Sequence, residues 1–231
     1  TSAAELRSSG GVLEVELYAA RRTGEVAGSR VSMLGYAKGV PGPTLRLRPG
    51  DRLRVQLRNS MDEDTNLHVH GLHVSPEGNG DNPFVSINPG EVFDYEYQLP
   101  QDHPTGTFWY HPHLHGSVAD QLFGGLYGAI VVEEDRPVPV ARERVLVISD
   151  ISFDGQGNVR RASQADRMMG REGEFLLVNG QVLPVLEGRP GERERWRVVN
   201  ACSSRFLRLA VDGQQLELLA MDFGRSERPA V

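Results

Sequence analysis

Cysteine is almost absent. Cys202 is the single one in 231 residues, so no disulfide can close within the chain and no thiolate cluster can form. Any metal chemistry must then rest on histidine, carboxylate or methionine. Long apolar runs are lacking as well. None approaches the ~18–20 residues of a membrane-crossing helix. The residues after Thr1 show neither the basic nor the apolar region of a signal peptide. Positive charge is in deficit, with 25 Lys and Arg against 31 Asp and Glu for a net charge of −6. That balance argues against a nucleic-acid partner, which favours a basic face, and reads as an ordinary solvated surface. Helical periodicity is weak, with one short turn expected over residues 117–122.

What is present is strand pattern. Residues 12–18 (VLEVELY) alternate apolar and polar side chains, as a half-buried strand does. Residues 45–48 and 53–57 do the same on either side of a Pro49-Gly50-Asp51 turn. Further strands are expected over 67–74, 92–99, 107–111 and 127–132. Many short strands with such punctuation predict an all-β sandwich or barrel.

A repeat sets the organisation. Residues 43–60 read PTLRLRPGDRLRVQLRNS and residues 184–201 read PVLEGRPGERERWRVVNA. Pro, Leu, Arg-Pro-Gly, an acid, two arginines and Asn recur at one constant offset. This predicts two copies of one β-domain, 1–135 and 136–231, with Pro137 and Pro139 in the linker. The second copy is expected to be incomplete, with a tail after Asp222-Phe223-Gly224 that adds no closing strand.

All seven histidines fall between His68 and His115. His68-Val69-His70 lies in a strand candidate, where residues i and i+2 share a face, roughly 6–7 Å apart at their bases. His111-Pro112-His113 repeats the arrangement, and Pro112, unable to donate a ladder hydrogen bond, marks a strand end or edge. If the two segments are neighbours, four imidazoles converge. Imidazole suits zinc, copper, iron and nickel, and a set without nearby acids or thiolates leans to copper or zinc.

LHVHGLHVSP, GTFWYHPHLHG and GGLYGAIVVEE together resemble the first domain of three-domain multicopper oxidases of the laccase and cuprous-oxidase group. EGEFLLVNGQVLP and RWRVVNACSSRFLRLAVDG resemble the start of the second domain. The resemblance implies tandem cupredoxin-like Greek-key β-sandwich domains. It also implies a trinuclear copper cluster shared with a third domain absent from this chain. His68 would bind type 2 copper, His70 and His111 one type 3 copper, and His113 the other. Dioxygen would be reduced to water by four electrons drawn from phenols, aromatic amines or cuprous ion, in the periplasm or outside the cell. Asp81 would either help deliver protons or merely cap its turn. The rest of the same oxidase would be the partner, since type 1 copper needs a His-Cys-His motif and Cys202 has no histidine near it.

The second copy places Leu209 and Val211 where His68 and His70 stand in the first, so it is expected to be a spacer without ligands. Other residues carry plainer expectations. His115 is read as supporting or structural, His73 as a cavity or surface residue, and His103, beside Pro104, as solvated. Cys202 is expected to be buried and inert, Met168 and Met169 to pack in a core or loop, and Trp109 and Tyr110 to pack beneath the ligands. Two rivals are a non-catalytic copper-binding or scaffold protein on the same fold and a cupin-like zinc or iron enzyme. For the latter, Glu77 is too far from the first motif.

Overall fold

The computed structural model describes residues 3–36, 39–221 and 225–230, the last stretch as backbone. In chain order the first half holds β1 (Glu5–Arg7), β2 (Val12–Val26), β3 (Ser29–Gly35), β4 (Thr44–Leu47), β5 (Arg52–Asn59), β6 (His68–His70), β7 (Val92–Gln98), β8 (Gly106–His111), α1 (Val118–Gly124) and β9 (Gly128–Val132). The second holds β10 (Arg142–Ile151), α2 (Gln164–Met169), β11 (Phe175–Val178), β12 (Gln181–Val182), β13 (Glu194–Asn200), β14 (Leu218–Ala220) and β15 (Arg225–Ala230).

Two sheets, β1-β4-β9-β8-β6 and β3-β2-β5-β7, form the first half. Alternation explains how they stack. Leu13, Val15 and Leu17 of β2 and Leu53, Val55 and Leu57 of β5 turn one way. They meet Leu45 and Leu47 of β4, Phe108 and Tyr110 of β8, and Ile130 and Val132 of β9 in one apolar core. Each such side chain removed from water stabilises the fold by about 1.5–3 kcal/mol. Tyr110 fits because Gly128 has no side chain, since a Cβ there would lie 2.2 Å from its ring. Its hydroxyl donates to the Pro43 carbonyl at 2.8 Å.

The second half repeats part of this plan. β10 runs parallel to β13 as β2 runs parallel to β5. The Pro-Gly turns preceding β5 and β13 both carry glycine at positive φ, 85° at Gly50 and 81° at Gly191, where a side chain would be strained. The four-stranded sheet β12-β11-β10-β13 packs on the first half, so β9 is buried on both faces. Ala129 and Tyr127 meet Val147, Val199 and Ala201 there.

Charged residues complete that junction. Arg46 pairs with Glu5 at 3.0 Å and Glu143 at 3.1 Å. Arg195 pairs with Glu134 at 2.5 Å, and Arg197 with Glu134 at 2.9 Å and Glu143 at 3.0 Å. All three arginines are buried, so β4, the end of β9, β10 and β13 are tied by one network. Burial by itself would raise the Glu134 carboxyl, but the hydrogen bond from Arg195 and the charges of Arg197 and Arg195 bring it down to about 2.

Several expectations change. The strand expected over 67–74 shrinks to β6, because Gly71 adopts φ 85° and turns the chain. β3, β10, β11 and β12 lie outside the strands expected from the sequence. Residues 222–224 lie outside the described residues, but the tail beyond them is not strandless, since β15 pairs antiparallel with β14. Met168 and Met169 are exposed on α2 rather than packed in a core or loop.

Candidate metal centre

The site lies at the β6 edge of the first sheet. β6 pairs antiparallel with β8, and His68 stands opposite His111 while His70 stands opposite Trp109. The period of two aims His68, His70, Trp109 and His111 to one face, and Val69 and Tyr110 to the core. The expectation that Trp109 and Tyr110 both lie beneath the ligands therefore splits. Trp109 packs on His111, ring centres 4.2 Å apart, and on His70 at 5.2 Å. Tyr110 faces the other way, fully buried.

His68 is the hub of four imidazoles. Its ring centre is 5.4 Å from that of His70, 5.2 Å from His111 and 5.1 Å from His113. Ligand atoms of His68, His70 and His111 all lie within 4.8 Å of one another. Among the described residues this is the one group of three or more His, Cys, Asp or Glu so placed. His113 stands beside the trio, its ring centre 6.1 Å from that of His111.

Hydrogen bonds fix which nitrogens are available. Nδ1 of His111 donates to the Pro112 carbonyl at 2.8 Å, since a carbonyl can only accept. That leaves Nε2 with its lone pair, 3.5 Å from Nδ1 of His70. Two imidazoles bonding one metal at about 2.0 Å place their nitrogens about 3.3 Å apart at the tetrahedral angle. Burial pushes the His111 imidazole down to about 4, against a weaker opposite pull from the Pro112 carbonyl. It is therefore neutral, as a metal ligand must be. Nδ1 of His68 donates to the Asp81 carboxylate, 2.9 Å from Oδ2 and 3.0 Å from Oδ1. Such a carboxylate–imidazole pair fixes a ligand's tautomer and ring orientation.

Asp81 reaches His68 because its loop folds tightly. The Asp81 N–H donates to the Ser75 carbonyl at 2.8 Å, and Gly80 permits the approach, since a Cβ there would meet that oxygen at 2.2 Å. The carboxylate also accepts the Val69 N–H at 3.1 Å. Asp81 thus touches the strand that bears two of the imidazoles, which its place on a turn did not reveal.

The other histidines stand apart. His115 is exposed. His103 is not solvated, as expected beside a proline, but buried. Its Nε2 accepts the His73 N–H at 3.0 Å, its Nδ1 donates to the Pro104 carbonyl at 2.8 Å, and its ring packs on Phe108. Cys202 is half-buried rather than fully buried. Burial and the nearby Asp150 carboxylate push its thiol up to about 12, which keeps it an inert thiol. Two buried polar residues absent from the sequence reading are Asn66, which accepts the His113 N–H, and Gln121, which bonds the adjacent Thr65 and Asp64. The position of Asn66, one residue before Leu67-His68, was their one visible signal.

A two-sheet β-sandwich that gathers four imidazoles at one sheet edge has the donor set of a metal-binding protein. Comparison with known proteins makes this specific. The family description "multicopper oxidase" matches residues 19–137 and again residues 142–230, and the chain belongs to that family of copper oxidoreductases. It is 32% identical over 208 residues to the multicopper oxidase mco of Staphylococcus aureus, covering 87% of this chain and 45% of that protein. The multicopper oxidase structure from Pseudomonas thermotolerans superposes with a TM-score of 0.84 at 35% identity, covering 96% of this chain and 54% of that one. The Campylobacter jejuni multicopper oxidase, described as a metallo-oxidase, gives 0.86 at 31% identity, covering 100% and 49%. The chain thus spans about half the length of the proteins it matches.

Proposed function

We propose that this chain is the portion of a laccase-like multicopper oxidase that supplies four of the imidazoles around its oxygen-reducing copper cluster. The observation that carries the reading is the β6–β8 register, which sets His68 against His111 with His70 beside them, and His113 joins them just past the strand end. His70 and His111, with facing nitrogens, are assigned to one copper. His113 is assigned to a second and His68 to a third. Copper bound there would supply the one-electron steps by which dioxygen is reduced to water.

The protein's own contribution is orientation and protons. Asp81 holds the His68 ring through Nδ1, and the Pro112 carbonyl holds His111 through Nδ1. Trp109 screens the His111 side of the cluster from water. Four protons are consumed per dioxygen, and the Asp81 carboxylate is the acid nearest to His68 among the groups described above, suited to pass them inward. The reducing substrate, a phenol, an aromatic amine or cuprous ion, would be met by a further part of the oxidase carrying type 1 copper and the remaining ligands. In this reading residues 1–135 carry the ligands and residues 136–231 space them from that part. The periplasm or the cell exterior is the proposed compartment. Among the described residues, no helix is long and apolar enough to cross a membrane.

Copper analysis of the intact protein with optical and spin-resonance spectra tests the reading. Alanine at His68, His70, His111 or His113 should lower copper content and abolish oxygen consumption. Full copper loading in a His111→Ala, His113→Ala double variant would reject it. Copper binding without oxygen consumption in the parent would favour the non-catalytic alternative.

A further inference from the structure

His113 lacks the support its partners have. β8 ends at His111, and Pro112 has no N–H with which to continue the ladder. The register that sets His70 against Trp109 and His68 against His111 would set residue 66 against His113. At that place the backbone pairing has stopped, and a side chain takes over. Oδ1 of Asn66 accepts the His113 N–H at 2.6 Å. The same amide donates through Nδ2 to the Val85 carbonyl at 3.2 Å, in the loop that follows Asp81.

The base of this bridge is itself held. Thr65 Oγ1 donates to Gln121 Oε1 at 2.7 Å, and Gln121 Nε2 donates to the Asp64 carbonyl at 2.7 Å. Gln121 belongs to α1, which begins five residues after His113. Asn66 and Gln121 are buried, where a polar group without a partner is costly. Their amides are therefore committed to these bonds. One amide acting as acceptor on one side and donor on the other is a demand that neither Asp nor an aliphatic residue meets in full.

We propose that Asn66 is the positioning residue for His113, an amide that replaces the missing strand ladder and fixes this imidazole against His68 and the Asp81 loop. The inference rests on the reading of His113 as a copper ligand. It assigns Asn66 no contact with copper or oxygen.

A double-variant cycle on the intact protein tests it, with Cu(II) affinity from equilibrium dialysis as the first readout. Asn66→Ala should weaken copper binding about tenfold, within the range for residues that orient a ligand. It should add no further loss in a His113→Ala background. Asn66→Asp keeps an acceptor for the His113 N–H and should recover most of the affinity. Amide exchange in the metal-free protein gives the second readout. The His113 N–H should lose protection in Asn66→Ala while core amides such as that of Tyr110 keep theirs. Unchanged affinity in Asn66→Ala, or losses that add in the double variant, would overturn the proposal. If Asn66→Ala does not fold, Asn66→Asp decides, since His113 protection as low as in unstructured segments would equally overturn it. Should His113→Ala alone leave copper binding unchanged, the copper assignment of His113 fails, while the exchange result still reports on the bridge.

Discussion

The Asp81 carboxylate lies 2.9 Å from Nδ1 of His68 and accepts the backbone N–H of the next residue, Val69. The side chain that holds this imidazole is thus also an ionisable acid. Asp81→Asn keeps an oxygen able to accept from His68 but cannot exchange protons. Copper content should stay at the parent level while oxygen consumption slows by about 10–100-fold. The deficit should widen as pH rises, because solvent protons that can substitute for the relay become scarcer. An oxygen-electrode profile that superposes on the parent's would reduce Asp81 to a turn residue.

His103 separates a structural histidine from the proposed ligands. It is buried and bonded at both nitrogens. His103→Ala strips the His73 N–H of its acceptor and should cost about 1–3 kcal/mol of stability, read from denaturant midpoints. Copper per chain should not change. His115→Ala, at an exposed position, should change neither quantity. A fall in copper content in either variant would move that residue into the ligand set.

The buried charge network predicts an acid limb. The Glu134 carboxyl is at about 2 in the folded chain, against about 4.3 for a free glutamate. Its folded value is depressed, so its stabilisation is complete above the unfolded value and is lost as pH falls from there through about 2. The amount is on the order of 3 kcal/mol. Glu134→Gln leaves Arg195 and Arg197 short of a countercharge and should lower stability at neutral pH. It should also flatten the decline between about pH 4.5 and pH 2. A variant whose pH–stability curve runs parallel to the parent's would show that other acids carry the limb.

Residues 1–231 expressed alone should bind copper weakly, show no intense blue absorption and consume no oxygen. The chain offers four clustered imidazoles, and Cys202 has no histidine beside it. A blue, active product would place the electron-entry site within these residues.

How much of this was legible in the sequence follows from what each signal encodes. Alternation is local, so VLEVELY and HVH gave their faces correctly. The His-x-His segments could be paired only conditionally, because register is a relation between distant residues. Asn66 escaped notice for the same reason, since its partner is 47 residues away. The burial of Arg46, Arg195 and Arg197 has no local signal, because it depends on the second sheet packing against the first half. His103 was misread because a flanking proline signals a loop and says nothing of whether the loop is covered.

The alternation along β8 makes copper a witness to folding errors. Successive residues of this strand serve opposite sides, with Trp109 and His111 toward the metal face and Phe108 and Tyr110 toward the core. A misfolded molecule in which β8 is displaced by a single residue would not hold a slightly poorer site. It would turn the imidazole inward and present tyrosine to the solvent, because a one-place slip flips every side chain. Under heat or mistranslation stress the copper content of a preparation should fall with the fraction of chains in register, while secondary-structure signals barely move.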